Sequence, residues 1–256
     1  MDDVRFGFSG TEDAIQGITG QIESGTWMAL IGPNGAGKTT LLKLMAGLER
    51  PNHGQIVVHG RDLRSYRSDE RAALVALMPQ VAGPRFDLTV RSVVELGRIG
   101  RYRWWDRLGR ISEEHRRAVE AALWATDTLG LADRRFTELS GGESRRVLLA
   151  MVLAQDTPII LLDEPTAYLD PGHAQDLLAR IQALVHDQGK TVIMAYHDLT
   201  TVALYCDQIW ALDHGRVALS GPASEVILHP GLKALYALDF VAMTHPTKNR
   251  PVLLFP

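Results

Sequence analysis

Gly32-Pro33-Asn34-Gly35-Ala36-Gly37-Lys38-Thr39-Thr40 decides how this chain is read. It fills every fixed position of G-x-x-x-x-G-K-[ST], the phosphate-binding loop pattern. Its flanks agree with that pattern. Trp27 to Ile31 is a short apolar run of buried-strand character, and Lys38 to Ala46 has the pattern of a helix with Gly47 at its C-terminal end. A strand, a glycine-rich turn and a helix N-terminus together bind anions, because unpaired N–H groups and the helix dipole point the same way. The backbone of Asn34, Gly35, Ala36, Gly37, Lys38, Thr39 and Thr40 is therefore expected to cradle phosphates. Gly35 and Gly37 allow the main chain to come close where a Cβ would intrude. Lys38 is expected to reach the β- and γ-phosphates and the Thr39 hydroxyl to bind Mg²⁺.

Outward from this loop, strand and helix patterns alternate, which predicts a mostly parallel sheet with helices on both faces. Val4 to Ser9 reads as a strand, Pro51 to Gly54 as a turn, Gln55 to His59 as a strand, Ser68 to Ala73 as a helix and Leu74 to Met78 as a strand. Between Val81 and Ser140 strand patterns vanish. Helices are expected there over Thr89 to Arg98 and Ser112 to Leu129, the second capped by Ser112. A helix over Glu143 to Gln155 comes next, then the apolar strand Pro158 to Leu162, a helix from Gly172 to His186, the strand Thr191 to Tyr196 and the helix Leu199 to Tyr205. Gln208 to Leu212 and Arg216 to Leu219 read as a hairpin. The tail is expected to hold short helices and an extended stretch from Pro251 to Phe255.

Composition narrows the classes. A chain of 256 residues with 46% hydrophobic and 22% charged residues is that of a globular protein with a sizeable core. A net charge of −3 gives no global case for nucleic acid, and none is expected as a partner. The single Cys206 excludes an intramolecular disulfide framework and suits a reducing compartment. Met1 to Arg5 opens acidic, so no signal peptide is expected. The longest apolar run, Val147 to Ala154, is far short of the ~20 residues of a membrane span.

Ile159-Ile160-Leu161-Leu162-Asp163-Glu164 places two acids at the carboxyl end of a buried strand. In a phosphate-loop protein such acids emerge beside the phosphates. Asp163 is expected to hold Mg²⁺ and Glu164 to polarise the water that attacks the γ-phosphate. Taken alone, the same pattern fits a strand ending in a solvated turn.

Leu139-Ser140-Gly141-Gly142-Glu143 resembles the signature motif of ATP-binding-cassette (ABC) proteins, usually LSGGQ, with Glu143 replacing the Gln. It sits at a helix N-terminus, a second candidate anion site in the same chain; Ser-Gly-Gly is equally a plain helix cap. The resemblance covers Val4 to about Ala223 and implies an ABC ATPase fold, an α/β phosphate-loop core with N-terminal antiparallel strands and an inserted helical subdomain. It implies core residues 1–80 and 156–223, a helical subdomain over 81–155 and a C-terminal extension over 224–256. It further implies ATP and Mg²⁺ as ligands and a head-to-tail dimer, in which Ser140, Gly141 and Gly142 face the partner copy's ATP. Gln80 matches the family's Q-loop glutamine, a catalytic-site and Mg²⁺-sensing residue. Tyr168-Leu169-Asp170 stands where S-A-L-D is usual, with Asp170 at the dimer interface and Ala167-Tyr168 departing from the family pattern. His197 matches the switch histidine. Phe8 aligns with the aromatic that stacks on adenine, or is a core aromatic. No N-K-x-D motif supports a GTPase, and the helical insertion closed by LSGGE argues against a nucleotide kinase.

The tail residues His245-Pro246 and Arg250-Pro251-Val252-Leu253 resemble the ending of cassettes that import ferric siderophores, haem or cobalamin. That resemblance implies two separate transmembrane permease subunits, an extracytoplasmic binding protein as an indirect partner, and a peripheral position on the cytoplasmic face of the membrane. An exporter cassette with separate membrane chains, or a soluble ABC ATPase of DNA repair or translation, are the alternatives. Arg98 to Arg117 carries Arg98, Arg101, Arg103, Arg107, Arg110, Arg116 and Arg117 with Tyr102, Trp104 and Trp105. It reads as a solvated loop, as a surface near the membrane partner and lipid head groups, or as a nucleic-acid patch.

Overall fold

In chain order the strands and helices are β1 (Asp2–Phe6), β2 (Ile15–Ile18), β3 (Trp27–Ile31), α1 (Lys38–Met45), β4 (His53–Gln55), β5 (Val57–Val58), β6 (Arg61–Asp62), α2 (Ser68–Leu74), β7 (Val75–Met78), α3 (Val90–Leu96), α4 (Glu113–Ala125), α5 (Gly141–Gln155) and β8 (Ile159–Asp163). Then come α6 (Pro171–His186), β9 (Thr191–Ala195), α7 (Leu199–Tyr205), β10 (Gln208–Asp213), β11 (Arg216–Pro222), α8 (Ala223–Val226), α9 (Pro230–Tyr236), β12 (Val241–Thr244) and β13 (Pro251–Leu254). They belong to a computed structural model that describes residues 1–8, 13–78, 87–101, 112–167, 169–248 and 250–255.

The central sheet runs β11-β10-β3-β9-β8-β7, parallel throughout except for the edge strand β11. This is the mostly parallel α/β core expected from the alternation. Its strands are apolar on both faces because both are covered. Trp27, Ala29 and Ile31 of β3 pack with the core formed by α3 to α7, while Met28 and Leu30 pack with α1 and with β1 and β2 on the other side. The register sets the chemistry. Ala195 at the end of β9 pairs with Leu30 on one side and with Asp163 on the other. The carboxyl ends of β3, β8 and β9 therefore lie at one level, and the segments leaving these three strands meet at one edge.

A separate three-stranded sheet, β2-β1-β4, is antiparallel. Two of its strands differ from the sequence reading. β2 is short and carries Gly17 at φ 83°, which breaks the alternation that announces a strand. The stretch read as the turn Pro51 to Gly54 contributes β4 instead. A Cβ on Gly54 would collide with Asp3 O, so this glycine permits close strand pairing rather than a reversal. The strand read over Gln55 to His59 is divided between β4 and the β5–β6 hairpin.

The arginine-rich stretch is corrected at its beginning. Arg98 is only 1% exposed. It donates from Nη1 to Ala154 O at 2.8 Å and from Nε to His115 Nδ1 at 3.0 Å. Arg101 donates from Nε to Gln155 O at 2.9 Å and from Nη2 to Asp156 O. The last carbonyls of a helix have no partner within it, and cations suit that end. Arg98 and Arg101 thus close the C-terminus of α5, Arg98 buried and Arg101 partly exposed. Arg117 pairs with Glu113 one turn earlier on α4, at 3.2 Å. Arg103, Arg107, Arg110, Tyr102, Trp104 and Trp105 lie outside the described residues.

The tail returns to the core. Arg250 Nη1 donates to Cys206 O at 2.7 Å, and its Nη2 lies 3.5 Å from Asp207 Oδ1. Asp207 in turn accepts the Trp27 N–H at the start of β3 (2.9 Å). Cys206 is fully enclosed and burial pushes its thiol up, so its place is structural. Among the described residues no helix is long and apolar enough to cross a membrane.

Candidate active site

The helices α3, α4, α5, α6 and α7 begin under a side-chain oxygen, from Thr89, Ser112, Ser140, Asp170 and Asp198 respectively. Helix α1 does not. Its N-cap is Gly37, no side chain caps it, and no acidic residue lies in its first turn. The orphan N–H groups at this end are open to an anion. Gly37 holds φ 100°, and a Cβ there would lie 2.7 Å from Ala14 O. Gly35 holds φ 81°, with nothing within 4 Å of where its Cβ would be. Asn34 and Gly35 are exposed, whereas Ala36 is buried as the floor of the turn. The loop thus fits a polyphosphate, with Thr39 and Thr40 in the first turn of α1.

Lys38 Nζ donates to Gly32 O at 2.7 Å and to Pro33 O at 3.0 Å, which folds the side chain across the loop. Burial lowers its pKa, while the negative charges of Glu164 and Asp163 act in the opposite sense. Asp163 is enclosed at the end of β8, and burial raises its pKa against the Thr39 hydrogen bond that lowers it. A hydroxyl and a carboxylate side by side, next to a phosphate cradle, form the hard oxygen set that suits Mg²⁺. The register places Glu164 one residue further. It sits at φ 50°, left-handed for a residue with a Cβ, a conformation that costs about 1–3 kcal/mol. Its N–H donates to Ala195 O at 3.1 Å. His197 lies just past β9, its side chain 66% exposed, with Nδ1 3.9 Å from Glu164 Oε1 and its ring stacked on Tyr196. Lys38, Thr39, Asp163, Glu164 and His197 are thereby brought to one edge of the sheet.

The other sequence-identified residues stand elsewhere. Ser140 accepts the Glu143 N–H (3.3 Å), and its own N–H and hydroxyl both donate to Glu143 Oε2 at 2.8 Å. This reciprocal cap holds the Glu143 carboxylate well below the usual range and leaves Gly141 exposed, with Gly142 next to it. Asp170 caps α6 by accepting the His173 N–H at 3.0 Å and also bonds the His173 ring. Among the described residues neither Ser140 nor Asp170 bonds the phosphate loop. Phe8 is 49% exposed and meets Phe6 edge-on at 5.0 Å, so it is a surface ring rather than a core aromatic. Gln80 lies outside the described residues.

Two residues at the site have no motif to announce them. One is Arg145 of α5, buried against the backbone of the acid pair. The other is Tyr236, at the end of α9. The Gly32 N–H donates to Tyr236 Oη at 2.7 Å across 204 positions of sequence. Burial pushes the phenol up to about 12, so it stays neutral. Gly32 is therefore held through both of its peptide groups, its N–H by Tyr236 and its C=O by Lys38. In Tyr236→Phe the shape is kept and the acceptor lost. An unpaired buried N–H costs about 1–3 kcal/mol, so a lower melting temperature and several-fold weaker ATP binding are expected. Titration with a fluorescent ATP analogue checks this, and unchanged affinity would show that the loop holds its shape without the tail.

Comparison with known proteins agrees with this geometry. Residues 15–167 match the ABC transporter family. The hemin import ATP-binding protein HmuV of Pseudomonas entomophila is 38% identical over 254 residues, covering 96% of this chain and 95% of that protein. The iron(3+)-hydroxamate import ATP-binding protein FhuC of Bacillus subtilis is 36% identical over 94% of this chain and 88% of its own length. Among solved structures, a dimeric ATP-binding cassette in a post-hydrolysis state with ADP and Pi superposes with a TM-score of 0.78 at 28% identity, covering 87% of this chain and 97% of that one. A transporter assigned to the metal-chelate type, in an inward-facing conformation, superposes with a TM-score of 0.82 at 25% identity over 100% of this chain and 94% of the matched chain. An uncapped phosphate-loop helix, the acid pair beside it and a match across nearly the whole chain lead to one family: this chain belongs to the ABC transporter family, as an ATP-hydrolysing cassette.

Proposed function

We propose that this cassette powers the import of a metal chelate, namely hemin, a ferric siderophore or cobalamin, through separate transmembrane permease subunits. The observation that carries this reading is the extent of the similarity to import ATP-binding proteins. It runs through 96% of the chain, well past the residues that match the family. On this reading the chain sits peripherally on the cytoplasmic face of the membrane, and a binding protein delivers the ligand from outside.

Each step of the cycle falls to residues of this chain. The backbone of Asn34 to Thr40, together with Lys38, binds the triphosphate, and Phe8 offers its exposed ring to the adenine. Thr39 and Asp163 would hold Mg²⁺, which would supply positive charge against the phosphates. Glu164 accepts the proton of the attacking water, and His197, exposed and close to Glu164, bonds the γ-phosphate. Gln80 would sense the nucleotide site and relay its state to the permease. Ser140, Gly141 and Gly142 serve the ATP of a second copy, with Asp170 at the interface. Two ATPs join two copies, hydrolysis releases them, and the opening and closing moves the permeases.

Reconstitution with candidate permease subunits and binding proteins tests this. ATPase activity is expected to rise several-fold with binding protein loaded with one of hemin, ferric siderophore or cobalamin, and not with the empty protein. Stimulation only by compounds supplied from the cytoplasmic side would make it an exporter and overturn the reading.

A further inference from the structure

Arg145 lies one turn into α5, the helix that Ser140 starts, and is 4% exposed. Its Nη2 donates to Asp163 O at 2.7 Å and to Glu164 O at 2.5 Å. Burying a guanidinium is unfavourable unless its N–H groups are satisfied, and an apolar side chain would fill the same space without that penalty. The two carbonyls that Arg145 grips are those of the acid pair.

Their backbone is where the constraint is needed. Glu164 is in the left-handed region at φ 50°, a state that persists only when its surroundings over-determine it. Two elements supply that determination. Strand β9 accepts the Glu164 N–H through Ala195 O at 3.1 Å, and α5 holds the Glu164 C=O through Arg145. The Ala167 N–H also donates to the Glu164 C=O, at 3.2 Å, but from within the same turn. Arg145 is what ties that carbonyl to another element, and without it the turn that carries Glu164 is free to shift against the edge where Lys38 and Thr39 stand. We propose that Arg145 is a positioning residue for hydrolysis, through which the signature helix sets the geometry of Glu164 in its own subunit. Arg145 touches no reacting atom; it acts through Glu164. The inference rests on the proposed role of Glu164 as the water-activating carboxylate. It adds a physical link, since Ser140 and Arg145 are joined by a single helical segment about 7.5 Å long. A shift of α5 produced at its N-terminus is carried to the acid pair.

The test is a double-mutant cycle on the full chain, with Arg145→Gln, Arg145→Lys and Glu164→Gln. Arg145→Gln is expected to lower kcat 10- to 100-fold while the Kd for fluorescent ATP stays within 2-fold. Arg145→Lys, which keeps the charge and donors on a single nitrogen but not the planar fork, is expected to recover part of the rate. Combined with Glu164→Gln, Arg145→Gln is expected to add no further loss in single-turnover hydrolysis, because the group it positions is gone. Kinetic rates are taken per ATP-binding equivalent, so unfolded protein does not contribute. A full kcat in Arg145→Gln, or losses that multiply in the double variant, would overturn the proposal. Brisk hydrolysis by Glu164→Gln alone would instead overturn the role of Glu164.

Discussion

Glu164→Gln is expected to lower ATP turnover by roughly 10²–10⁴-fold while ATP binding persists at full stoichiometry. The two effects separate because they depend on different atoms. Binding rests on the loop N–H groups, on Lys38 and on the Thr39–Asp163 pair, and the substitution removes none of their hydrogen bonds. The left-handed backbone at position 164 is held through its own main chain, whose N–H donates to Ala195 O and whose C=O accepts from Arg145 and Ala167, and a glutamine presents the same two groups. What is lost is the carboxylate that takes a proton. Its negative charge is lost as well, beside Asp163 and facing a triphosphate, so affinity is expected to hold or to rise. A nucleotide-binding titration run beside a phosphate-release assay checks both halves. Hydrolysis within a few-fold of the native rate would remove Glu164 from the mechanism.

The second large effect is expected when Ser140→Arg and Lys38→Ala are placed on opposite subunits of a mixed dimer. Both subunits also carry Glu164→Gln, so that bound ATP is retained. If each signature serves the partner's phosphate loop, one complete site survives and one ATP is trapped per dimer. If each signature serves its own loop, none survives. Placing both substitutions on one subunit reverses the expectation: no trapped ATP in the first case and one in the second. The structure favours the first case. Ser140 is exposed, its cap is complete with Glu143, and it makes no bond to its own phosphate loop among the described residues. One nucleotide does not need two helix N-termini from one chain when α1 is already uncapped for it. Loss of the serine cap costs about 1 kcal/mol, so the helix itself persists in the variant. Retained nucleotide counted after rapid gel filtration decides between the two arrangements.

Much of this protein is legible in its sequence because its chemistry is carried by short, local patterns. Gly32 to Thr40 needs glycines and a lysine at fixed spacing, since one turn of backbone must wrap one phosphate. The apolar run before Asp163 and Glu164 is dictated by a strand covered on both faces. Most helix starts are marked by their caps, Thr89, Ser112 and Asp170 among them. The tertiary structure alone decided the rest, and in each case for a reason that leaves no local trace. β12 is exposed along its whole length and shows no alternation, so its pairing with β13 could not be read. Arg98 and Arg101 look like surface charge until the open carbonyls of α5 are brought to them from more than 50 positions away. Tyr236 meets the backbone of Gly32, and Arg145 the backbone of Asp163 and Glu164. A main-chain N–H or C=O has the same chemistry in every residue, so a side chain that binds one has no partner of recognisable type in the sequence. The sequence therefore determines which groups can bind and cleave a phosphate. Only the register that aligns Leu30, Asp163 and Ala195, and the long-range bonds to their backbone, decide how those groups are aimed.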